Sequence, residues 1–566
     1  MSYPTHMSRR RRKTFPTLYM GILLVSVLLS RWGAVGAEPS PFRFRDLADV
    51  TGLAKLLAST QGHAAGWGDV DGDGTLDLYV GSFSGEGLKP NLLLRQRGGK
   101  WVADERSSEA IATRATGTLL VDLDNDGDLD LYVSSMPQPK TKLRGCALFR
   151  NDGAGQLVDI SAGNGACPLE FGGRSATACD INGDGLLDLL VGEDPLPGYN
   201  GSPTKSSRLF LNRGGLQFAD VSREVGMPES PGLGVAAGDL NGDGWPDLFL
   251  ASHNGGNRLL LNNGRGTFRE VTELTELFAW PGAGGDNMVC GVTLADVNRD
   301  GRLDIALGPH FKAPWIQPVA PRLFLNRGTV AGQLAFQEIT DTCGLRPLAL
   351  KAPHLEIQDF DNDGWPDLAV SIVKFAGGEP RPILFRHQGL NDGIPQFELQ
   401  GWDANDFPTA EDQATKRSAD FFKKMIKDGK IIYAAPMPAA DYDRDGRLDF
   451  FCGSWWVERP SLLLHNETTG GHWLQVTLAA PEGVNRRAVG ARVTIYPAGK
   501  LGDSTARLST QEISIGYGYA SAHETALHFG LGTCEQVDLR IEWPHRRGTR
   551  DVRGIQADQR LEFGPQ

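Results

Sequence analysis

The chain has 566 residues, 40% of them hydrophobic, enough for two or more structural units with real cores. Its 71 glycines and 33 prolines favour many short strands joined by turns. A net charge of −12 excludes a nucleic-acid binder, which needs a basic footprint.

The first element is an export signal. Arg9, Arg10, Arg11, Arg12 and Lys13 form a basic stretch, and residues 18–29 form an apolar run shorter than a comfortable membrane span. Val35, Gly36 and Ala37 supply small residues before a cut at Glu38. A cleaved signal peptide over residues 1–37 and a retained membrane anchor both stay open. Cleavage removes six positive charges and no negative one, taking the net charge from −12 to −18. Export places the 7 cysteines in an oxidising compartment, where disulfides persist. Cys146 and Cys167 bracket one hairpin and form the candidate pair; the alternative is that the cysteines are small buried hydrophobes.

Residues 42–467 carry an internal repeat. Each unit has a short apolar strand, an Asp-rich loop running into a second apolar strand, and a hairpin of the form L-F-L-N-x-G-x-x-x-F-x-D-V. The seven loops start at Asp69, Asp122, Asp180, Asp239, Asp296, Asp359 and Asp441, mostly 53 to 63 residues apart. That spacing holds four short strands, one blade of a propeller. The expected fold is therefore all-β, a seven-bladed β-propeller followed by a small antiparallel β domain at residues 471–565. The gap after Asp359 is longer, and residues 409–429 read as a helix excursion from blade six, capped by Thr409, with Phe421, Phe422, Met425 and Ile426 as its apolar face and Gly429 as its end. The seventh unit lacks an F-x-D-V strand. The segment from Phe42 to Val50 supplies one, so an N-terminal strand is expected to close the ring.

Each loop reads D-x-[DN]-x-D-G-x-x-D, and carboxylates or amides at positions 1, 3, 5 and 9 converge on one point. Hard oxygen donors of this kind suit Ca²⁺, about one ion per blade. The candidate ligands are Asp69, Asp71, Asp73 and Asp77 in blade one, and Asp122, Asp124, Asp126 and Asp130 in blade two. Blades three and four offer Asp180, Asn182, Asp184 and Asp188, then Asp239, Asn241, Asp243 and Asp247. Blades five to seven offer Asp296, Asn298, Asp300 and Asp304, then Asp359, Asp361, Asp363 and Asp367, then Asp441, Asp443, Asp445 and Asp449. Together the loops hold 26 aspartates, whose mutual repulsion calls for counter-ions. The ions are expected to be structural, stapling the turn between the first two strands of each blade.

These loops and hairpins resemble the FG-GAP/VCBS repeats of integrin α-chain propellers and many exported bacterial proteins. The tail contains Asn485-Arg-Arg-Ala-Val-Gly-Ala-Arg-Val493, Gly516-Tyr-Gly-Tyr519, Leu527-His-Phe-Gly-Leu-Gly532 and Val537-Asp-Leu-Arg-Ile-Glu-Trp-Pro544. That series resembles the ASPIC/UnbV domain that follows such repeats in the cartilage acidic protein family. The resemblance implies an extracellular calcium-binding protein of undefined biochemical activity.

His523-Glu524 and His528 suggest a zinc protease, but the histidines stand five apart in a β context, where odd separations face opposite sides. No nucleophile elbow, P-loop or dinucleotide fingerprint occurs. Polar and aromatic residues gather in the turns after each second strand, opposite the calcium loops: Phe83, Glu193, Asp194, His253, Asn254, His310, Phe311, Lys374, Trp455 and Trp456. Of these, His253, His310, Trp455 and Trp456 are candidate ligand contacts. Solvent-facing loops are the plainer reading, and for the tryptophans, packing on the C-terminal domain. The expected function is a secreted, non-enzymatic binding or adhesion protein for an extracellular protein or glycan. The alternative is a carbohydrate-active propeller, either a lectin or a polysaccharide lyase or hydrolase.

Overall fold

The computed structural model describes residues 41–564 except 84–88, 105–112, 138–144, 170, 194–205, 253–255, 281–287, 312–313, 315–316, 376 and 401–418. The segment expected to be a leader or anchor lies outside these residues. Among the described residues, no helix is long and apolar enough to cross a membrane.

The fold is all-β. Seven antiparallel sheets follow one another along the chain, and each places the Asp-rich loop between its first and second strands. Blade three shows the plan: Gly173–Cys179, Asp188–Glu193, Arg208–Asn212 and Phe218–Asp220 pair in that order. In blade three the first two strands are buried along their whole length, so apart from Arg174 and the end residues Asp188 and Glu193 they run through small or apolar side chains without a polar alternate face. Sheets packed face to face on both sides impose this. First strands of successive blades stand side by side around the centre, and small residues permit it. A Cβ on Gly117 would sit 2.2 Å from the carbonyl oxygen of Arg174, and one on Gly234 would sit 1.7 Å from that of Cys290.

A recurrent side chain links the blades. The asparagine ending the third strand donates its amide to the backbone carbonyl of the second loop residue in the preceding blade. Asn151 reaches Val70 (2.7 Å), Asn212 reaches Leu123 (2.7 Å), Asn262 reaches Ile181 (2.9 Å), Asn326 reaches Leu240 (2.7 Å) and Asn466 reaches Phe360 (2.9 Å). In blade six His387 takes the place, with Nε2 3.1 Å from the carbonyl of Val297. Between blades seven and one, the Trp67 indole donates to Pro438 O at 3.0 Å.

The last blade is completed from the other end of the chain. Phe44–Asp46 pairs antiparallel with Leu462–Asn466, setting Phe44 opposite Asn466 and Asp46 opposite Leu464. This is the expected closing strand. The excursion from blade six adds no eighth sheet; Ile372–Lys374 and Ile432–Ala434 form a two-stranded ribbon instead. The described helix there is Ala419–Lys427, ended by Gly429 at φ 63°, with Met425 buried beside Phe375, Ile431 and Trp456. The expected cap Thr409 lies outside the described residues.

Beyond the ring, Leu527–Gly532, His472–Leu478 and Gln559–Phe563 form one sheet; Ser509–Glu512, Arg492–Pro497, Gln536–Glu542 and Thr549–Gln556 form another. Their apolar core is continuous with that of blades two and three. The expected Cys146–Cys167 disulfide is corrected: all seven cysteines are free, and five are buried. Cys146 points its sulfur at the carbonyl of Ser135 (3.9 Å), whereas Cys167 lies beside the amide of Asn164 (3.9 Å).

Deleting residues 42–50 should uncover the Leu462–Asn466 edge and invite association. The expected result is a lower Tm and loss of the monomer peak in size-exclusion chromatography. A monomer with an unchanged melt would show that the ring does not depend on this strand.

Candidate functional site

The loops fold on their own side chains. In all seven, the first aspartate accepts the N–H of the glycine at position 6, from Gly74 on Asp69 (2.8 Å) to Gly446 on Asp441 (2.8 Å). That glycine has a left-handed φ throughout, 83° to 107°, which is why the position tolerates little else. The aspartate at position 5 accepts the N–H at position 7, as Asp243 does from Trp245 (2.9 Å). The aspartate at position 9 divides its oxygens between two strands. Asp247, for example, accepts Leu240 N–H (3.0 Å) and Asn262 N–H (2.9 Å).

Carboxylates thus converge, with position 9 buried in every loop and Asp73, Asp126 and Asp184 at position 5 reaching solvent. Ligand atoms of Asp69, Asp71 and Asp77, of Asp122, Asp124 and Asp126, and of Asp359, Asp361 and Asp367 lie within 4.8 Å of one another. Burial, reinforced by neighbouring carboxylates, pushes Asp130 up to about 8 and Asp296 to about 7. Buried oxygens of Asp69, Asp71 and Asp122 have no hydrogen-bond partner. These acidic groups could hold a metal ion: the donors are hard oxygens, and some still lack a partner.

The loops are not equivalent. In blade one the Arg95 guanidinium lies 2.6 Å from Asp77, and Arg97 pairs with Asp71 and Asp73. In blade six Arg386 bridges Asp361 (2.6 Å) and Asp363 (2.8 Å). In blade seven His465 sits 3.2 Å from Asp443 and 3.3 Å from Asp449. The equivalent third-strand residues in blades three to five are Leu211, Leu261 and Leu325, which bring no charge.

The C-terminal domain lies against these loops. Arg486 donates to Asp126 O (2.8 Å), Arg487 to Gly127 O (2.5 Å), Arg547 to Gly183 O (2.8 Å), Arg546 to Asp243 O (2.7 Å) and Arg507 to Arg299 O (2.9 Å). Arg560 reaches an Asp441 carboxylate oxygen at 2.7 Å, and His528 Nε2 lies 2.8 Å from Asn362 Oδ1. So the loops of blades two to seven each meet this domain. A finger from it, residues 514–523, enters the centre of the ring. Thr177 donates to Ile515 O (2.6 Å), Gly518 bridges Val292, and Ser521–Ala522 adds a parallel strand beside Ala65 and Gly66. Gly516 and Gly518 make the insertion possible: a Cβ on Gly518 would meet the His354 ring at 2.5 Å.

Residues 69–133, 199–250 and 239–307 match the FG-GAP-like repeat, residues 171–202 the FG-GAP repeat, and residues 481–566 the ASPIC and UnbV domain. Cartilage acidic protein 1 of Mus musculus is 28% identical over 527 residues, covering 88% of this chain and 72% of its own. The chain carries FG-GAP repeats and an ASPIC/UnbV domain, and it is homologous to cartilage acidic protein 1. Integrin alpha-7 of Rattus norvegicus is 30% identical over 125 residues, 21% of this chain and 11% of its own. Among solved structures, BBS1N in complex with ARL6DN aligns with a TM-score of 0.39 at 12% identity, covering 73% of this chain and 94% of that one.

The turns of this FG-GAP protein opposite the loops differ from expectation. Phe83, Glu193, Phe311 and Lys374 are buried, not solvent-facing. Arg114 stacks on Phe83 at 4.1 Å. Trp455 packs between Phe83 (5.6 Å) and Tyr433 (4.7 Å), while Trp456 joins the helix cluster; these contacts come from the propeller and not from the C-terminal domain. His310 lies 2.9 Å from the Met288 sulfur and 3.4 Å from the Tyr433 hydroxyl. His253, Asn254 and Asp194 lie outside the described residues. His523 and His528 part company, as their spacing implies: His523 faces Glu356 in the channel and His528 faces the blade-six loop. Sequence reasoning missed the loop-capping arginines and the pair His354 and Glu356.

Replacing Asp247 by Ala leaves two buried N–H groups unpaired and should cost about 2–5 kcal/mol. The expected result is a lowered urea midpoint for Asp247→Ala even in chelator. A loss confined to calcium-containing buffer would show that the residue acts only through an ion.

Proposed function

We propose that this chain is a secreted, calcium-loaded propeller that acts as a non-enzymatic binding or adhesion protein. It would present the ring face opposite the Asp-rich loops to an extracellular protein or glycan. The observation that carries the reading is the covering of the loop face. The arginines and sheets of the C-terminal domain occupy it, which leaves the other face and its dissimilar turns for a partner. The candidate ligands named at positions 1, 3, 5 and 9 would hold the ions. Loops three to five, whose third strands bring Leu211, Leu261 and Leu325 in place of a guanidinium or imidazole, would depend on calcium most. The ions stiffen a scaffold on this reading and activate no substrate.

A ligand that binds only the folded state raises stability by mass action, about 2.7 kcal/mol at a hundred times its Kd. Thermal melts in chelator and in millimolar Ca²⁺ should therefore differ by several degrees. Equal melting temperatures would remove calcium from the account.

The binding role is tested on arrays of matrix proteins and glycans with calcium-loaded protein. Half-buried Trp455 offers rigid aromatic area at the exposed face, of the kind that anchors interfaces. Trp455→Ala should weaken capture about tenfold or more, whereas Arg486→Ala on the covered face should not. No capture at all, or cleavage of an arrayed glycan, would overturn the reading.

A further inference from the structure

Three side chains of metal-binding type meet where blade six faces the finger. His354 and Glu356 are two residues apart on an extended segment, so both point to the same side. His523 comes from the C-terminal domain. Their ligand atoms lie within 4.8 Å of one another, and all three residues are buried. Glu356 Oε1 is 3.0 Å from His354 Nε2 and 2.6 Å from His523 Nε2. Glu356 Oε2 and His523 Nδ1 have no hydrogen-bond partner.

The repeat shows how unusual this is. Glu356 and His354 stand three and five residues before the first loop aspartate of their blade. The matching pairs elsewhere are Gly66 and Ala64, Leu119 and Gly117, Thr177 and Ser175, Ala236 and Gly234, Thr293 and Gly291, and Pro438 and Pro436. None of these is ionisable. At two positions where the other six blades carry small or neutral residues, blade six therefore carries a carboxylate and an imidazole, facing a second imidazole.

A carboxylate held away from water needs a positive partner. A proton on His523 would supply a single charge and would leave Glu356 Oε2 without a partner. A divalent ion supplies the charge and would be held by the carboxylate and both Nε2 atoms, which lie within 4.8 Å of one another, once each imidazole carries its proton on Nδ1. We propose that His354, Glu356 and His523 bind a transition-metal ion of the zinc class, which fastens the finger of the C-terminal domain inside the ring. Two imidazoles and one carboxylate suit zinc and its neighbours; calcium prefers oxygen alone. With metal bonds of about 2.0–2.1 Å, tetrahedral ligand edges measure about 3.3 Å. The present separations, which are those of hydrogen bonds, need open by less than about 1 Å.

Neighbours fix both rings, His523 by stacking and His354 by hydrogen bonds. Tyr517 stacks on His523 with ring centroids 3.6 Å apart and planes within 5°, and Gln358 donates to the Tyr517 hydroxyl at 3.1 Å. His354 Nδ1 accepts Tyr519 N–H at 2.9 Å in the metal-free form. On loading, its proton moves from Nε2 to Nδ1, where the Tyr519 carbonyl (3.1 Å) and Ser521 Oγ (3.3 Å) can accept it in place of the bond from Tyr519 N–H, and His523 carries its own proton on Nδ1.

The full chain is purified in excess Ca²⁺, which keeps this test separate from the loops, and titrated with Zn²⁺ and with Co²⁺. One tightly held zinc per chain by elemental analysis and a visible cobalt band are expected. Glu356→Gln and His523→Gln should each lower zinc affinity by more than about 100-fold without changing the calcium count. Should either variant fail to fold, the wild-type melt decides: zinc should raise Tm and a zinc-selective chelator should reverse it. A wild type that takes up no zinc and shows no cobalt band, or variants that bind as tightly as it does, would overturn the proposal.

Discussion

A carboxylate shut away from water, once in every blade, is the constraint on which the rest of the structure depends. The aspartate at position 9 is buried in all seven loops. It is tolerated because its oxygens accept backbone N–H groups that would otherwise be unpaired. In blade three, Asp188 takes Ile181 N–H (3.0 Å) and Asn212 N–H (2.8 Å), tying the loop to the third strand. The residue is thus required by the backbone before any ion enters. Having it there makes positions 1, 3 and 5 costly neighbours, since each adds charge to a place with little solvent. Cations of some kind must answer, and blades one and six show the chain supplying its own with Arg95 and Arg386.

The same third strand also joins blade to blade. The residue whose N–H meets the buried aspartate sends its side-chain amide across to the preceding loop, as Asn212 does to Leu123 and Asn326 to Leu240. Loop geometry and blade contact therefore depend on one residue. A distorted loop would displace the third strand, and with it the contact to the neighbouring blade. The closing strand belongs to this logic too. Without Phe44–Asp46, the strand carrying Asn466 would be a free edge, and the contact to Phe360 would lose its support.

Much of this was legible in the sequence because the repeat displays it seven times. Asp-Gly spacing gave the loops, their period gave the blade size, and the absent seventh F-x-D-V strand pointed to residue 42. The asparagine was visible in the repeated hairpin but its role was not: its side chain reaches 81 residues back, from Asn262 to Ile181. The docking of the C-terminal domain was not legible at all. Arg486 and Asp126 are 360 residues apart, and single arginines in a polar tail look like a solvated surface. The finger left one hint, glycines at 516 and 518, which only the close approach to Ala176 and His354 explains. The cysteines misled because spacing alone carries no direction.

How the C-terminal arginines meet the loops bears on the ions. Arg486, Arg487, Arg507, Arg546 and Arg547 donate to backbone carbonyls, not to the converging carboxylates, whereas Arg560 pairs with the carboxylate of Asp441 in blade seven. A guanidinium seated among the carboxylates would exclude a cation; one held on the outer carbonyls neutralises part of the same charge and leaves the inner oxygens clear. The two arrangements divide the ring. Where the third strand ends in Leu-Asn, as in blades three to five, the positive charge comes from the covering domain. In blades one and six it comes from within the repeat, and none of the C-terminal arginines named above reaches either loop. A domain that docks through carbonyls of seven-fold repeated loops needs those loops in one fixed shape. A cation bound there and the docked domain would therefore reinforce each other, since whatever orders the carboxylates also orders the carbonyls behind them.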